Sequence, residues 1–252
     1  RVRLLERSGE LGGQFCLAAG QPERGEISEL LNWYRIQLDR LGVEVNLRHQ
    51  ATESEILNAG TDAVAICTGS RPSRHGFQRA YPHRTSLPGV DQDNVCTVHD
   101  VLDGSVVPGA NVLLLDDIDG WWPASGTALH LAQQRHRVTI VTSSEKAAAR
   151  LDLSHTGGDT RERFVTYGVE VLLANALDNW SGDTATLVNL YTGDNDTREF
   201  DSLVLATTNT PENELFLTLQ KSALEIYCIG DSIAARTAHM AIYEGRKLGL
   251  AL

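Results

Sequence analysis

Along most of this chain, short apolar runs of strand length alternate with stretches in which apolar residues recur every third or fourth position. The clearest case is Ala110–Thr142. Asn111–Leu115 (NVLLL) is an apolar run, and Gly126–His136 carries Ala128, Leu129, Leu131 and Ala132 at helical spacing. Arg137–Thr142 (RVTIVT) then returns to β-branched residues. Strand, turn, helix and second strand in that order predict a parallel crossover unit.

The same rhythm predicts the other elements. Val2–Glu6 is a strand ending in an acid, followed by the glycine-punctuated turn Gly9–Gly13. Ile27–Leu41 has apolar residues at Ile27, Leu30, Leu31, Tyr34, Leu38 and Leu41, an amphipathic helix that Gly42 stops. Val43–Leu47 is a strand, Thr52–Leu57 starts a short helix, and Asp62–Cys67 is a buried strand. Leu87–Val90 and the segment to Gly109 form a linker into the crossover unit. Beyond it, Asp159–Tyr167 is helical and Val169–Leu173 a strand. Thr186–Tyr191 and Thr197–Phe200 form a hairpin around Gly193-Asp194-Asn195-Asp196. Ser202–Ala206 and Leu224–Ile229 are further buried strands, and Arg236–Leu248 is a helix. Ser202–Ala206 mirrors Asp62–Cys67, which suggests two related modules. The expected class is α/β: two nested Rossmann-like modules with parallel sheets, the first lacking its N-terminal strand and helix. The boundaries are residues 1–105 plus 222–252, and 106–221.

The turn opening the central helix is where a dinucleotide fold carries G-x-G-x-x-G. Here ten residues, Asp116 to Ser125, precede Gly126, where that fingerprint has five. A pyrophosphate needs bare backbone N–H groups at a helix start, whose field favours an anion by only about 0.3–1 kcal/mol. One carboxylate about 4 Å away opposes it by about 4 kcal/mol at an effective dielectric of about 20. Asp116, Asp117 and Asp119 together overwhelm the attraction, and Trp121 and Trp122 fill the space. A solvated acidic turn is the equal alternative to an active role for these carboxylates; a metal bridging them to a nucleotide is a lesser one. Ser143-Ser144 stands where an NAD site carries its ribose-binding acid.

Three other turns carry candidate chemistry. Glu6 ends a strand in the place where a carboxylate takes ribose hydroxyls through charge-assisted hydrogen bonds, although taken alone it reads as a surface charge. Thr68-Gly69 follows a strand, where glycine lets backbone approach a ligand or simply makes a turn. Gly230-Asp231 follows another strand; Asp231 either holds ligand hydroxyls or caps the next helix. The basic segment Arg74–Pro88 reads as a solvated loop, with a docking face for a partner domain as the alternative.

Composition narrows the field. The 252 residues are 42% hydrophobic and 22% charged, ordinary for a globular protein. A net charge of -11 disfavours nucleic acid and anionic membrane as partners. No apolar run approaches the ~20 residues of a membrane helix. Cys16, Cys67, Cys96 and Cys228 form no C-x-x-C pair, which fits a reducing, cytoplasmic compartment and offers no metal framework. Cys67 and Cys228 are expected to be buried and inert. The chain opens inside a strand and without Met, which reads as a fragment.

Leu4-Leu5-Glu6-Arg7-Ser8-Gly9-Glu10-Leu11-Gly12-Gly13-Gln14, Cys67-Thr68-Gly69-Ser70-Arg71-Pro72 and Ile229-Gly230-Asp231 resemble, in order, the signatures of flavoprotein disulfide-reductase-type modules. More narrowly, the first segment and the degenerate turn from Leu115 to Ala128 resemble the C-terminal half of the trimethylamine dehydrogenase and 2,4-dienoyl-CoA reductase family. That resemblance implies an oxidoreductase whose missing part holds a flavin mononucleotide barrel and a 4Fe–4S cluster. It also implies FAD or ADP in the present part. Glu6 and Arg7 would stand at the ribose, Gly12, Gly13 and Gln14 would shape the adjoining wall, Thr68 and Gly69 would line the flavin side, and Gly230 and Asp231 would hold ribityl hydroxyls. No catalytic residue and no metal ligand is expected here. The acidic turn favours the amine dehydrogenase branch, with the chain's own barrel and an electron-transfer flavoprotein as partners and a homo-oligomeric whole. The alternatives are an NAD(P)H-dependent enoyl or flavin reductase, and a non-catalytic ADP-binding module.

Overall fold

The computed structural model describes residues 1–252. Two compact units emerge: the first comprises 1–13, 29–71 and 209–252, and the second 14–28 and 72–208.

The second unit is built on a five-stranded, all-parallel sheet. Its order is Val95–Thr97, Ser202–Ala206, Asn111–Asp116, Arg137–Thr142, Glu170–Leu172. Successive side chains of a strand point to opposite faces, so the apolar run 112–115 supplies two cores. Val112 and Leu114 pack with Ala128, Leu131, Leu151 and Phe164 on the helical face. Leu113 and Leu115 pack with Leu177, Trp180, Leu187 and Phe200 on the other. That second layer is an antiparallel sheet of Asn175–Trp180, Thr184–Asn189 and Asn195–Glu199. Burial on both faces is why the parallel strands read as continuous apolar runs.

Two expectations shift in this layer. Asn175–Trp180 is a strand that the pattern did not reveal, because Asp178 is an extra, unpaired residue opposite Thr186 and Leu187 and breaks the strand's own period-two alternation. The hairpin turn also sits earlier than expected: Asn195 and Asp196 already pair with Val188 and Leu187. An exposed edge strand of polar residues looks like a turn in sequence.

The first unit has a small core. Arg3–Leu5 pairs in parallel with Glu44–Asn46, and Ala63–Ile66 with Glu225–Cys228. Ser70–Arg71 pairs antiparallel with Thr210–Pro211. Its buried cluster is Ile56, Ile66 and Leu219. The helix Glu26–Arg40 ends as its sequence predicts: Gly42 lies at φ 66, Val43 N–H reaches Leu38 O at 3.0 Å and Gly42 N–H reaches Asp39 O at 2.9 Å, a Schellman closure. Its apolar stripe is nevertheless largely uncovered. Ile27 alone is buried, whereas Leu30 and Tyr34 are exposed and Leu41 is 76% exposed. The final helix is Ala238–Ala251 rather than Arg236–Leu248, and it buries no residue. The strand Ala63–Ile66 is only half-buried, Cys67 is exposed and Cys228 intermediate. Periodicity shows that a face is apolar, not that anything covers it.

The unit boundaries differ from 105/106 and 221/222 because strand pairing overrides chain order. Val95–Thr97 joins the second unit's sheet through Ser202–Ala206, and Leu219 joins the first unit's core. No helix is long and apolar enough to cross a membrane.

Truncating Leu114, fully buried in the parallel sheet, is expected to lower stability by about 2–5 kcal/mol. Leu153→Ala, 80% exposed in the same unit, should stay within about 0.5 kcal/mol. Urea melts of both variants check this contrast.

Candidate nucleotide site

The candidate residues of the first unit lie where ligands bind in open α/β sheets, beyond the carboxyl ends of strands. Glu6 follows Arg3–Leu5, and its N–H extends the ladder to Asn46 O at 2.9 Å. Its Oε1 accepts from Ser8 N–H and from the Ser8 hydroxyl, both at 2.7 Å. The carboxylate is therefore oriented by its own turn, with Oε2 outside these bonds. Arg7 turns to Glu212 at 2.9 Å. Gly12 and Gly13 take φ 134 and 51, and a methyl group on Gly13 would meet no atom within 4 Å. Gln14 begins the helix Gln14–Ala19, which groups with the second unit.

Parallel pairing of Ala63–Ile66 with Glu225–Cys228 sets the Thr68 and Gly230 turns side by side. Ile229 N–H donates to Ile66 O at 3.1 Å, and the Ser232 hydroxyl donates to the same oxygen at 3.0 Å. Thr68 donates its hydroxyl to Glu212 O. Gly69 adopts φ 78 with open space around it, as a backbone approached by a ligand requires. Asp231 Oδ2 accepts from Ser70 Oγ and Oδ1 from Arg236 N–H, each at 3.0 Å. A carboxylate offers about four acceptor positions, so these bonds orient Asp231 without saturating it. It is not the cap of the last helix; Thr237 stands there. Gly230 N–H is held by Glu244 Oε2 at 2.7 Å, and Arg236 pairs with Glu244 at 2.8 Å. Desolvation pushes the Cys67 thiol up to about 11, with Cys228 adding to the rise, which disfavours the thiolate.

The corresponding turn of the second unit is closed. Asp116, only 3% exposed, accepts from Ile118 N–H at 3.0 Å and Gly120 N–H at 2.7 Å. Those are backbone donors of the kind that a phosphate would need. Burial pushes its carboxyl up to about 6 against these bonds. Asp117, 4% exposed, accepts from Arg79 N–H at 3.0 Å, and Arg79 also meets both oxygens of Asp119, at 3.1 and 2.9 Å. The turn is thus not a solvated acidic loop. Gly120 has φ 66, and a methyl group there would lie 2.5 Å from Ala148 Cα. Trp121 and Trp122 open the helix Trp122–Gln133 and pack against the core. Arg24 stacks on Trp122 at 4.1 Å and Arg150 on Trp121 at 5.1 Å. The basic segment is not a solvated loop either. Arg74 binds Asp100 at 2.5 Å and Arg84 binds Asp178 at 2.8 Å, so its charges are neutralised inside this unit.

No family model matches the chain. It is 29% identical to an N,N-dimethylglycine/sarcosine dehydrogenase of Chromohalobacter salexigens, across 98% of this chain and 40% of that protein. A solved 2-naphthoyl-CoA reductase superposes at a TM-score of 0.88 with 25% identity, covering 100% of this chain and 36% of the other. A thioredoxin reductase of T. acidophilum shares the fold at a TM-score of 0.64, 14% identity and coverage of 100% and 89%. The relatives and solved structures that the chain matches are oxidoreductases, as the resemblance to the trimethylamine dehydrogenase and 2,4-dienoyl-CoA reductase family implies. The chain spans about two fifths of the length of its curated relatives.

Within the first unit, the structure brings Thr68, Gly69, Gly230 and Asp231 together directly and links Glu6 and Arg7 to them through Glu212. Ser70, Glu212, Arg236 and Glu244 were not foreseen. The Asn209-Thr210-Pro211 turn signal after a buried strand marks a strand-end loop and was the one available pointer to Glu212.

Asp116 generates a pH signature. An unfolded aspartate titrates near about 3.9, so the folded chain holds the extra proton up to about pH 6. Stability therefore falls as pH rises through that window, by about 3 kcal/mol. Comparing urea melts of wild type and Asp116→Asn between about pH 4 and 6 should show the slope in the former and its loss in the latter.

Proposed function

We propose that the chain is the C-terminal, nucleotide-binding portion of a flavin-dependent amine dehydrogenase or demethylase. In this reading the first unit holds FAD or ADP. Glu6 accepts hydrogen bonds from the ribose hydroxyls, and Gly12, Gly13 and Gln14 form the adjoining wall. Thr68 and Gly69 line the flavin side, and Asp231 takes ribityl or equivalent hydroxyls. A bound flavin supplies the electron-transfer chemistry; the residues here bind and orient. Substrate oxidation belongs to a barrel carrying FMN and a 4Fe–4S cluster elsewhere in the polypeptide. The partners are that barrel and an electron-transfer flavoprotein, and the whole enzyme is a cytoplasmic homo-oligomer.

The observation that carries the reading is the contrast between the two turns. Gly13 and Gly69 of the first unit face open space, whereas the second unit's backbone donors are bonded to Asp116. The uncovered apolar faces of Glu26–Arg40 and Ala238–Ala251 further support a larger parent in which more polypeptide packs on this unit. The dimethylglycine/sarcosine dehydrogenase relative supports the amine branch. The naphthoyl-CoA reductase favours a second reading, an NAD(P)H-dependent enoyl reductase; an ADP module without catalysis is a third.

Stopped-flow mixing of the full-length protein with NADPH is expected to leave the flavin absorbance unchanged, while a methylated amine bleaches it. Bleaching by NADPH would establish the reductase reading instead, and ADP extracted from a protein whose chain carries no flavin would establish the third. Removing Glu6 as Ala deletes charged hydrogen bonds worth about 1.5–3 kcal/mol. Adenine-nucleotide affinity should therefore fall at least about tenfold by calorimetry, and an unchanged affinity would remove Glu6 from the site.

A further inference from the structure

The motif segments of the first unit are not joined in one sheet. Arg3–Leu5 pairs with Glu44–Asn46, and Ala63–Ile66 with Glu225–Cys228. The Glu6 turn is otherwise anchored to its own side: His49 N–H donates to Glu6 O and Arg48 N–H to Ser8 O, both at 2.8 Å. The link across to the other pair of strands runs through Glu212. Its N–H donates to Gly69 O at 2.9 Å, and its carbonyl accepts the Thr68 hydroxyl. Its carboxylate, 19% exposed, points the other way, with Oε2 2.9 Å from Arg7 and Oε1 4.0 Å from Arg71.

We propose that Glu212 is a positioning residue of the nucleotide site, holding the Glu6–Arg7 turn at a fixed span from the Thr68–Gly69 turn. This inference rests on the reading above that the first unit binds an adenine nucleotide. The main chain of Glu212 is fixed on one turn, and its side chain fixes the other. Pairing has a second effect. Arg7 adjoins Glu6 in sequence, and with its guanidinium held by Glu212 the Glu6 carboxylate has no ion-pair partner in the chain. It stays available to neutral hydroxyls. Released from Glu212, Arg7 can fold back on Glu6 and compete with the ribose. A pair whose arginine is 62% exposed contributes little to folding; its value lies in holding a binding geometry.

The test uses full-length protein stripped of nucleotide, with ADP as the calorimetric probe and thermal melts in parallel. Glu212→Gln is expected to weaken ADP binding about five- to tenfold with little change in Tm. Arg7→Gln added to Glu212→Gln should bring no further loss, because the two act as one unit. Glu212→Asp keeps the charge within reach of a flexible arginine and should recover affinity to within about twofold of wild type. Wild-type affinity in Glu212→Gln, alongside a weakened Glu6→Ala, would overturn the positioning role and leave the nucleotide site standing. Equal losses in Glu212→Asp and Glu212→Gln would assign the effect to packing and overturn it too. Failure of the wild type to bind ADP or FAD would overturn the nucleotide reading and this inference with it.

Discussion

The character of the second unit depends on one carboxylate. Asp116 sits at the end of a strand buried on both faces, where a charge is costly, and it is tolerated because Ile118 and Gly120 donate to it. The same bonds close the turn to any other anion. Gly120, which only a residue without a side chain can fill, then lets the chain pass Ala148 and deliver the two indoles to the helix start. Arg79 neutralises the two remaining acids. The parallel-sheet scaffold is intact, with the backbone donors of the turn before its helix taken by the protein itself.

The first unit is held by different means. Its core is small, and its turns are fixed largely by directed hydrogen bonds: Ser70 to Asp231, Arg236 and Glu244 around Gly230, and Glu212 to Gly69. Such bonds individually contribute about 0.5–1.5 kcal/mol, so they matter less as stabilisers than as setters of geometry. The proposed site, with a carboxylate, two glycine turns and a second carboxylate on separate strand ends, depends on that geometry more than on a dense core.

The candidate site was partly legible. Glu6, Thr68-Gly69 and Gly230-Asp231 stood out because strand-end acids and glycines have local signatures. Ser70, Glu212 and Glu244 did not, since a polar residue in a loop carries no mark of the partner it will meet; Ser70 and Asp231 are separated by 161 positions. Arg74, Arg79 and Arg84 looked solvated for the same reason, their acids lying 26 to 94 positions away.

The sequence by itself determined the α/β alternation, the central parallel strands and the loss of a glycine loop before Gly126, because periodicity and turn chemistry act over a few residues. Tertiary structure alone decided which apolar faces are covered, how the chain divides into units, and that Asp116 is a buried internal ligand instead of a hydrated charge. Burial and pairing depend on residues remote in the chain, and one-dimensional spacing carries no record of them.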